Sequence, residues 1–162
     1  MISINIVRIA FVTKDPELGN LVDMLGVELR IAQILADRVF GQAVSTKMAP
    51  GHFTVLSLID LNPGINQSAL ARCMHLDRST MVPILDQFEK KTWLERRAKA
   101  NDRRAYALFL TRQGKKTLRQ AETEVQQLEA RISEDIGPRS RQKLLDLIKE
   151  LQKTLRKISD EK

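Results

Sequence analysis

The chain has 162 residues, 43% of them hydrophobic and only 4% aromatic, and its 27 Lys and Arg against 20 Asp and Glu give a net charge of +7. This length and composition suit one domain or one compact protomer, with a core packed mainly by Leu and Ile from helices. No apolar run approaches the ~20 residues of a membrane span, and the start lacks the basic leader of a signal peptide, so we expect a cytoplasmic protein. A single cysteine, Cys73, excludes an internal disulfide framework. With only His52 and His75 beside it, we expect no metal site and no cofactor.

The amino-terminal part predicts an arm followed by one long helix. Residues 1–14 begin with a strand-like alternation that soon fails, which leaves open an ordered arm on a partner subunit and a frayed end. Pro16, with Asp15 as its cap, predicts the start of a helix that stops at Gly41. Apolar residues spaced by three, four or seven positions give this helix one buried stripe: Leu18, Leu21, Leu25, Ala32, Leu35 and Val39.

A second helix is predicted over His52–Leu61, begun by Pro50 and ended by the turn at residues 62–64. Its inner face carries Phe53, Leu56 and Ile59.

Two short amphipathic helices follow, Gln67–Met74 and Arg78–Thr92, with Asn66 and Asp77 as their N-caps. Only a three-residue polar turn joins them, so they must cross steeply, as in a helix-turn-helix. Pro83 removes a backbone N–H inside the second helix and predicts either a kink or an irregular first turn. The apolar stripes are formed by Leu70 in the first helix and by Val82, Leu85 and Phe88 in the second.

A hairpin is predicted next. Trp93–Arg97 and Ala105–Leu110 are rich in β-prone residues, and the loop between them, Ala98–Arg104, is polar and basic. A hairpin with a charged tip directly after a helix-turn-helix is a wing.

The carboxy-terminal part predicts two long helices. Thr111 caps the first, which runs through Ile136, and Gly137-Pro138 separates it from the second. Heptad-spaced apolar residues line both: Leu118, Ala121, Val125, Leu128 and Ile132, then Leu144, Ile148, Leu151, Leu155 and Ile158. An antiparallel pair within one chain and a dimer interface both explain these seams. We favour the dimer, because a two-fold partner lets the protein reach both halves of a palindromic site.

Basic charge is concentrated in the winged stretch. Residues 63–119 contain 13 Lys and Arg against 5 Asp and Glu, a net charge of +8, so the rest of the chain sums to −1. Positive charge on a helix-turn-helix with a wing is typical of a surface that binds a phosphate backbone.

The stretch from Pro50 to Gly114 resembles the winged helix-turn-helix of the MarR family (multiple antibiotic resistance regulators). The most discriminating part is the wing's Asp-x-Arg, Asp102 and Arg104, followed by Leu-Thr-x-x-Gly at residues 110–114. Further matching runs are Leu70-Ala71, Asp77-Arg78-Ser79-Thr80, Leu85-Asp86-Gln87-Phe88-Glu89-Lys90-Lys91 and Trp93-Leu94-Glu95-Arg96. The resemblance implies a homodimer formed through the terminal helices.

The second helix of the helix-turn-helix is expected to enter the major groove with its N-terminal half. Arg78 is either a base reader or a phosphate clamp, and Ser79 and Thr80 contact phosphate or bases unless they only cap the helix. Gln87 is a candidate for a base or backbone contact late in the helix. Ser68, near the start of the preceding helix, is a candidate phosphate contact.

The wing supplies a second set of candidate contacts. Lys99 and Arg103 lie at its tip, and the resemblance implies that Arg104 enters the minor groove while Asp102 orients it by a salt bridge. A narrow A·T-rich minor groove attracts arginine through its negative potential. Arg96 and Arg97 lie at the end of the first strand, and we expect one of them to face phosphate and the other to face solvent.

Regulation by a small anionic or aromatic ligand, bound between the dimerisation helices and the reader, is implied by the resemblance alone. The candidate polar contacts are Arg30, Asp37, His52 and Ser57, although His52 also fits an ordinary surface or capping histidine. For Cys73 we expect a buried, inert thiol rather than a peroxide sensor.

These patterns predict a mainly α fold with a small β-hairpin wing: a dimerisation segment over residues 1–47, a winged helix-turn-helix over 48–114 and dimerisation helices over 115–162. We expect a homodimeric, sequence-specific regulator that binds a pseudo-palindromic operator in double-stranded DNA, a repressor released by a small-molecule effector. The alternative is a non-specific architectural nucleic-acid-binding protein. An enzyme is not expected, since the sequence shows no Gly-rich phosphate loop, metal-ligand spacing or nucleophile–base set. No membrane partner is expected.

Overall fold

The computed structural model describes residues 19–99 and 102–161, except for the side chains of Lys99 and residues 102–105. A short 3-10 helix, Gly19–Asp23, precedes the regular elements. In chain order these are α1 (Leu25–Ala43), α2 (Pro50–Leu61), β1 (Ile65–Asn66), α3 (Gln67–Cys73), α4 (Arg78–Lys90), β2 (Leu94–Lys99), β3 (Asp102–Leu110), α5 (Arg112–Ile136) and α6 (Pro138–Asp160). The predicted fold class, mainly α with a small β-hairpin wing, is confirmed.

The first predicted helix is corrected at both ends. The described residues begin in the 3-10 helix, α1 starts only at Leu25, and it continues past Gly41 to Ala43. A glycine inside a helix costs only about 1 kcal/mol relative to alanine, so Gly41 alone does not stop it. The predicted cap at Asp15 and Pro16 and the arm over residues 1–14 lie outside the described residues.

The chain divides into two compact units, and the division falls inside α1 between Ala36 and Asp37. In the first unit, the stripe predicted to be buried is exposed at Leu21, Leu25 and Leu35. These three side chains are therefore not among the buried core residues of the part of the chain that the structure describes.

The second unit is built around one core of helices and sheet. α2, α3, α4, the hairpin and the first turns of α5 surround it, and α2 contributes the predicted Leu56 and Ile59. One core position is corrected: Val82 of α4 is 40% exposed, while Met81 beside it is buried. The largest fully buried side chains among the described residues are Val44, Val55, Leu56, Ile59, Leu70, Met81, Leu85, Phe88, Leu108 and Leu118.

The predicted ends of α2, α3 and α4 hold to within two residues, but one predicted cap fails. The Asn66 side chain accepts a hydrogen bond from the Ala69 N–H at 2.8 Å and caps α3 as predicted. Asp77 occupies the N-cap position of α4 without a side-chain hydrogen bond to the helix. α4 runs unbroken through Pro83, and its first turn contains a short-range bond from Thr80 N–H to the Asp77 carbonyl at 3.1 Å.

The sheet is larger than predicted. The strands of the wing are longer than predicted, β2 reaching Lys99 and β3 starting at Asp102, so the predicted loop over Ala98–Arg104 is mostly strand. The two-residue β1, which was not predicted, pairs antiparallel with β3 and gives the strand order β1-β3-β2. This pairing joins the wing to the start of α3.

The first carboxy-terminal helix begins and ends as predicted, and the second begins as predicted. Thr111 accepts a hydrogen bond from Gly114 N–H at 3.0 Å and caps α5, while Gly137, at a φ of +82°, separates α5 from α6. α5 and α6 pack on each other, and Arg141 pairs with Glu129 at 2.6 Å. No side chain of α6 is buried in the single chain. None of the described helices is both long and apolar enough to cross a membrane.

Candidate nucleic-acid interface

The outward face of α4 presents most of the residues predicted to contact DNA. Arg78, Ser79, Thr80 and Gln87 are all exposed. The opposite face is fixed in the core by Met81, Leu85 and Phe88. Since the buried face determines which way the helix is turned, the outward direction of the polar residues is set by packing.

α3 supports the start of α4 from the side. The Gln67 amide donates a hydrogen bond to the Arg78 carbonyl at 3.3 Å, a contact that was not predicted. Ser68, in the first turn of α3, is half-buried, whereas the residues at the start of α4 are exposed. Its predicted phosphate contact remains a prediction.

Arg96 ties the wing to α4. Its guanidinium lies 2.6 Å from an Asp86 carboxylate oxygen and 2.9 Å from one of Glu89, and its side chain is only 22% exposed. The next arginine, Arg97, is 60% exposed and pairs with Glu95. The more exposed of the two is therefore Arg97, and any phosphate contact by Arg96 must compete with two carboxylates of its own chain.

The backbone of the wing is described up to Lys99 and again from Asp102, and these two residues pair after an irregularity in the register beside Ala98. The side chains of Lys99, Asp102, Arg103 and Arg104 lie outside the described residues. Their DNA contacts remain predictions.

The joint between the wing and α5 is closely packed. Thr111 N–H donates to the Trp93 carbonyl at 3.0 Å, and the Thr111 hydroxyl donates to the Thr92 carbonyl at 2.5 Å. Gly114 lies directly against the Trp93 backbone, where an added Cβ would lie 2.0 Å from the carbonyl oxygen. The Leu-Thr-x-x-Gly motif thus has a packing role: it brings the first turn of α5 onto the start of the hairpin.

Ion pairs also tie α2 to α5. The Asp60 carboxylate, whose side chain is 15% exposed, lies 3.1 Å from the Arg119 guanidinium and 3.9 Å from the Lys115 ammonium. In the link between α1 and α2, Ser45 donates both its N–H, at 3.0 Å, and its hydroxyl to Glu124 of α5. Polar contacts from α2 and from the link before it therefore add to the packing that fixes α5 beside the winged region.

The four predicted ligand contacts are divided between the two compact units. Arg30 belongs to the first compact unit, and Asp37, His52 and Ser57 belong to the second. The Ser57 hydroxyl donates to the Phe53 carbonyl of its own helix at 2.9 Å. Their role in ligand binding remains a prediction.

His52 packs against the reader helix. Its ring meets the Phe88 ring edge-on, with centroids 5.3 Å apart. Partial burial, and to a lesser extent the positive charge of Lys91, lower the pKa of His52 from its ordinary value of 6.5. The imidazole is therefore neutral at physiological pH.

Cys73 is exposed, so the prediction of a buried thiol is wrong. Leu70 and Ala71 are the buried residues of α3, and Cys73, the last residue of this short helix, falls outside that face. Among the described residues, no group of three or more His, Cys, Asp and Glu is placed to hold a metal ion.

Known proteins resemble this chain over most of its length. The family model described as MarR family matches residues 48–106. A putative transcriptional regulatory protein for the hcr operon of Thauera aromatica is 36% identical over 135 residues, which are 82% of this chain and 81% of that protein. Among solved structures, the transcriptional repressor CouR bound to a 23-mer DNA duplex superposes with a TM-score of 0.80 at 32% identity, covering 86% of this chain and 99% of that one. CouR bound to p-coumaroyl-CoA gives a TM-score of 0.79 at 31% identity, covering 85% and 98%.

Proposed function

This chain belongs to the MarR family of transcriptional regulators, and we propose that two copies of it hold a pseudo-palindromic operator as a repressor and leave it when an aromatic acyl-CoA thioester binds. That the chain is a sequence-specific DNA-binding regulator follows from the family. The repression, the ligand and the residue roles are the proposal, and so is the division into residues 1–47 and 115–162 for dimerisation and 48–114 for DNA binding.

The observation that carries the proposal is the exposed polar face of α4 beside a basic wing. In this arrangement Arg78 bonds base edges, and Ser79 and Thr80 contact bases or phosphate at the start of the helix. Gln87 and Ser68 contact the flanking backbone. The exposure of α4 and the direction that its buried face imposes support the assignments on this helix.

The wing adds contacts outside the major groove. Lys99 and Arg103 bind phosphate, and Arg104, oriented by Asp102, enters the adjacent minor groove, where an arginine gains from the negative potential. Arg96 fixes the angle between wing and reader helix through its two carboxylate partners on α4. Reader helix and wing therefore meet the duplex as one unit.

A second copy of the chain is required for the operator. Exposed apolar side chains lie on the outer half of α5 and along α6, where the single chain leaves them uncovered: Ile132, Ile136, Leu144, Leu147, Leu155 and Ile158. Burying them against a two-fold partner stabilises a dimer. In such a dimer the two α4 helices face half-sites about one helical turn, 34–36 Å, apart.

The proposed ligand is taken from the relative whose structure is most informative. CouR, at 31% identity, is described as bound to p-coumaroyl-CoA. A ligand releases DNA only if it prefers a spacing of the reader helices that does not fit the operator. Arg30, Asp37, His52 and Ser57 are the proposed polar contacts. The proposed location is the cytoplasm, since the proposed ligand and operator would be met there.

Selection of bound fragments from the native genome, followed by titration with p-coumaroyl-CoA, tests the proposal. We expect one class of inverted-repeat fragments, and release by the thioester at concentrations at which neither p-coumarate nor coenzyme A acts. Equal affinity for selected and random duplex would instead indicate a non-specific architectural protein. Specific binding that the thioester leaves unchanged would refute the ligand class alone.

A further inference from the structure

An apolar pair interrupts the polar outward face of α4. Val82 is 40% exposed and its neighbour Pro83 is exposed as well. Residues four apart on a helix lie one above the other, so Val82 shares its face with Arg78 and Pro83 shares its face with Ser79. The apolar pair thus lies next to the residues assigned to the bases.

Packing fixes the pair in this position. Met81, Leu85 and Phe88 are fully buried, so α4 cannot turn by one residue to hide Val82 without exposing Met81. A valine side chain in a helix has one strongly preferred rotamer, and a proline ring is rigid. Both side chains therefore present a fixed apolar surface at little cost in conformational entropy.

The surroundings of the pair favour a nucleic acid over an apolar protein partner. α4 contains only two acidic residues, Asp86 and Glu89, and Arg96 pairs with both. The remaining charges of the helix, Arg78 and Lys90, are positive. The patch is small and apolar, and positive charge and short hydroxyl donors border it. It is therefore complementary to a base-pair edge in a DNA groove that carries one apolar group among hydrogen-bonding groups.

The major groove offers one such group, the 5-methyl of thymine. We propose that Val82, together with Pro83, contacts thymine methyl groups in each half-site, so that α4 selects thymine over cytosine there by apolar contact rather than by a hydrogen bond. The inference rests on the proposed function, since it requires α4 to enter the major groove. At these positions of the operator, the protein would recognise the methyl group of the base rather than its hydrogen-bonding groups.

Uracil substitution isolates the methyl group. In the operator obtained by genomic selection, each thymine is replaced in turn by deoxyuridine, which removes the methyl and keeps the pairing. For the unaltered protein we expect a loss of about four-fold in affinity at one or two thymines of each half-site, the value for removing one buried methyl. Thymines elsewhere in the operator should show no loss.

The matched variant is Val82→Ala. Alanine is a better helix former than valine, so α4 remains formed. The variant should bind the thymine operator about four-fold more weakly, and its discrimination between thymine and uracil at those positions should fall to the part that Pro83 supplies. Leu61→Ala, which truncates a 77% exposed leucine at the end of α2, serves as the control and should retain the full thymine dependence.

Two results would overturn the inference while leaving the proposed function intact. One is specific operator binding that no single uracil weakens, and the other is a Val82→Ala protein with undiminished thymine dependence. Equal binding of operator and scrambled duplex by the unaltered protein would overturn both, and it is recognised before any uracil is introduced.

Discussion

Gly114→Ala should destabilise the protein at the joint between the wing and α5. An added Cβ would lie 2.0 Å from the Trp93 carbonyl oxygen, 2.8 Å from its carbonyl carbon and 3.0 Å from its Cα. All three are backbone atoms, so no side chain can turn away to relieve the overlap. The first turn of α5 must move by about 1 Å to restore the 3.0 Å below which real Cβ contacts are essentially never found.

The magnitude follows from three opposing effects. Overpacking of this kind costs about 1–3 kcal/mol, and the movement strains the Thr111 hydrogen bond to the Trp93 carbonyl, worth about 1 kcal/mol. The higher helix propensity of alanine offsets about 1 kcal/mol. We therefore expect a net loss of about 2 kcal/mol, which lowers the Tm by about 4–8 °C for a protein of this size.

Thermal unfolding at one fixed protein concentration measures the effect, because the Tm of a dimer depends on concentration. Gly51→Ala is the matched control: Gly51 is in the first turn of α2, and no described atom lies within 4 Å of its added Cβ. Its Tm should stay level or rise slightly. A Gly114→Ala protein as stable as the unaltered chain would refute the packing role of the motif.

Three further changes test the site. Arg96→Ala should cost about 1–2 kcal/mol in urea unfolding and also weaken operator binding, with Arg96→Lys intermediate; an unchanged protein would remove the positioning role. His52→Gln should flatten the decline in unfolding free energy below pH 6.5, since the lowered pKa of His52 makes the unfolded chain bind the proton first; an equally steep decline in the variant would assign it to other groups. Arg104→Ala should weaken operator binding by about 1–3 kcal/mol in a low-salt gel shift, and unchanged affinity would contradict the wing contact.

The sequence was sufficient for the fold where local signals agree with one another. Asn66 and Thr111 each precede an amphipathic stretch and each accepts the predicted capping bond. Pro138 follows a glycine with positive φ and begins α6. In such places capping, periodicity and turn chemistry indicate the same boundary.

Where the sequence misled, two physical alternatives fitted the same pattern. Residues three and four positions before Leu85 lie on the same side of the helix as Leu85, so periodicity is equally consistent with burial of Val82 or of Met81. The tertiary packing buries Met81 and leaves Val82 exposed. Gly41 matched a helix stop because a single sequence does not distinguish a tolerated glycine from a terminating one. β1 has two residues, too few for any alternation.

The sequence predicted which residues form the candidate site, but it did not predict the contacts that these residues make with one another. Arg96 was expected to face phosphate or solvent, whereas the structure pairs it with Asp86 and Glu89. These carboxylates lie seven and ten positions away on another element, and nothing local in the sequence marks the pairing. The exposed Val82 was missed for the opposite reason, because an apolar residue at helical spacing is normally assigned to the core.

The most direct test of the central claim is the stoichiometry and specificity of the complex with its operator, measured by sedimentation on the fragment selected from the genome. The account predicts two chains on one inverted repeat, with an affinity at least about 10³-fold above that for scrambled duplex at the same salt concentration. One chain per duplex, or equal affinity for operator and scrambled sequence, would contradict it.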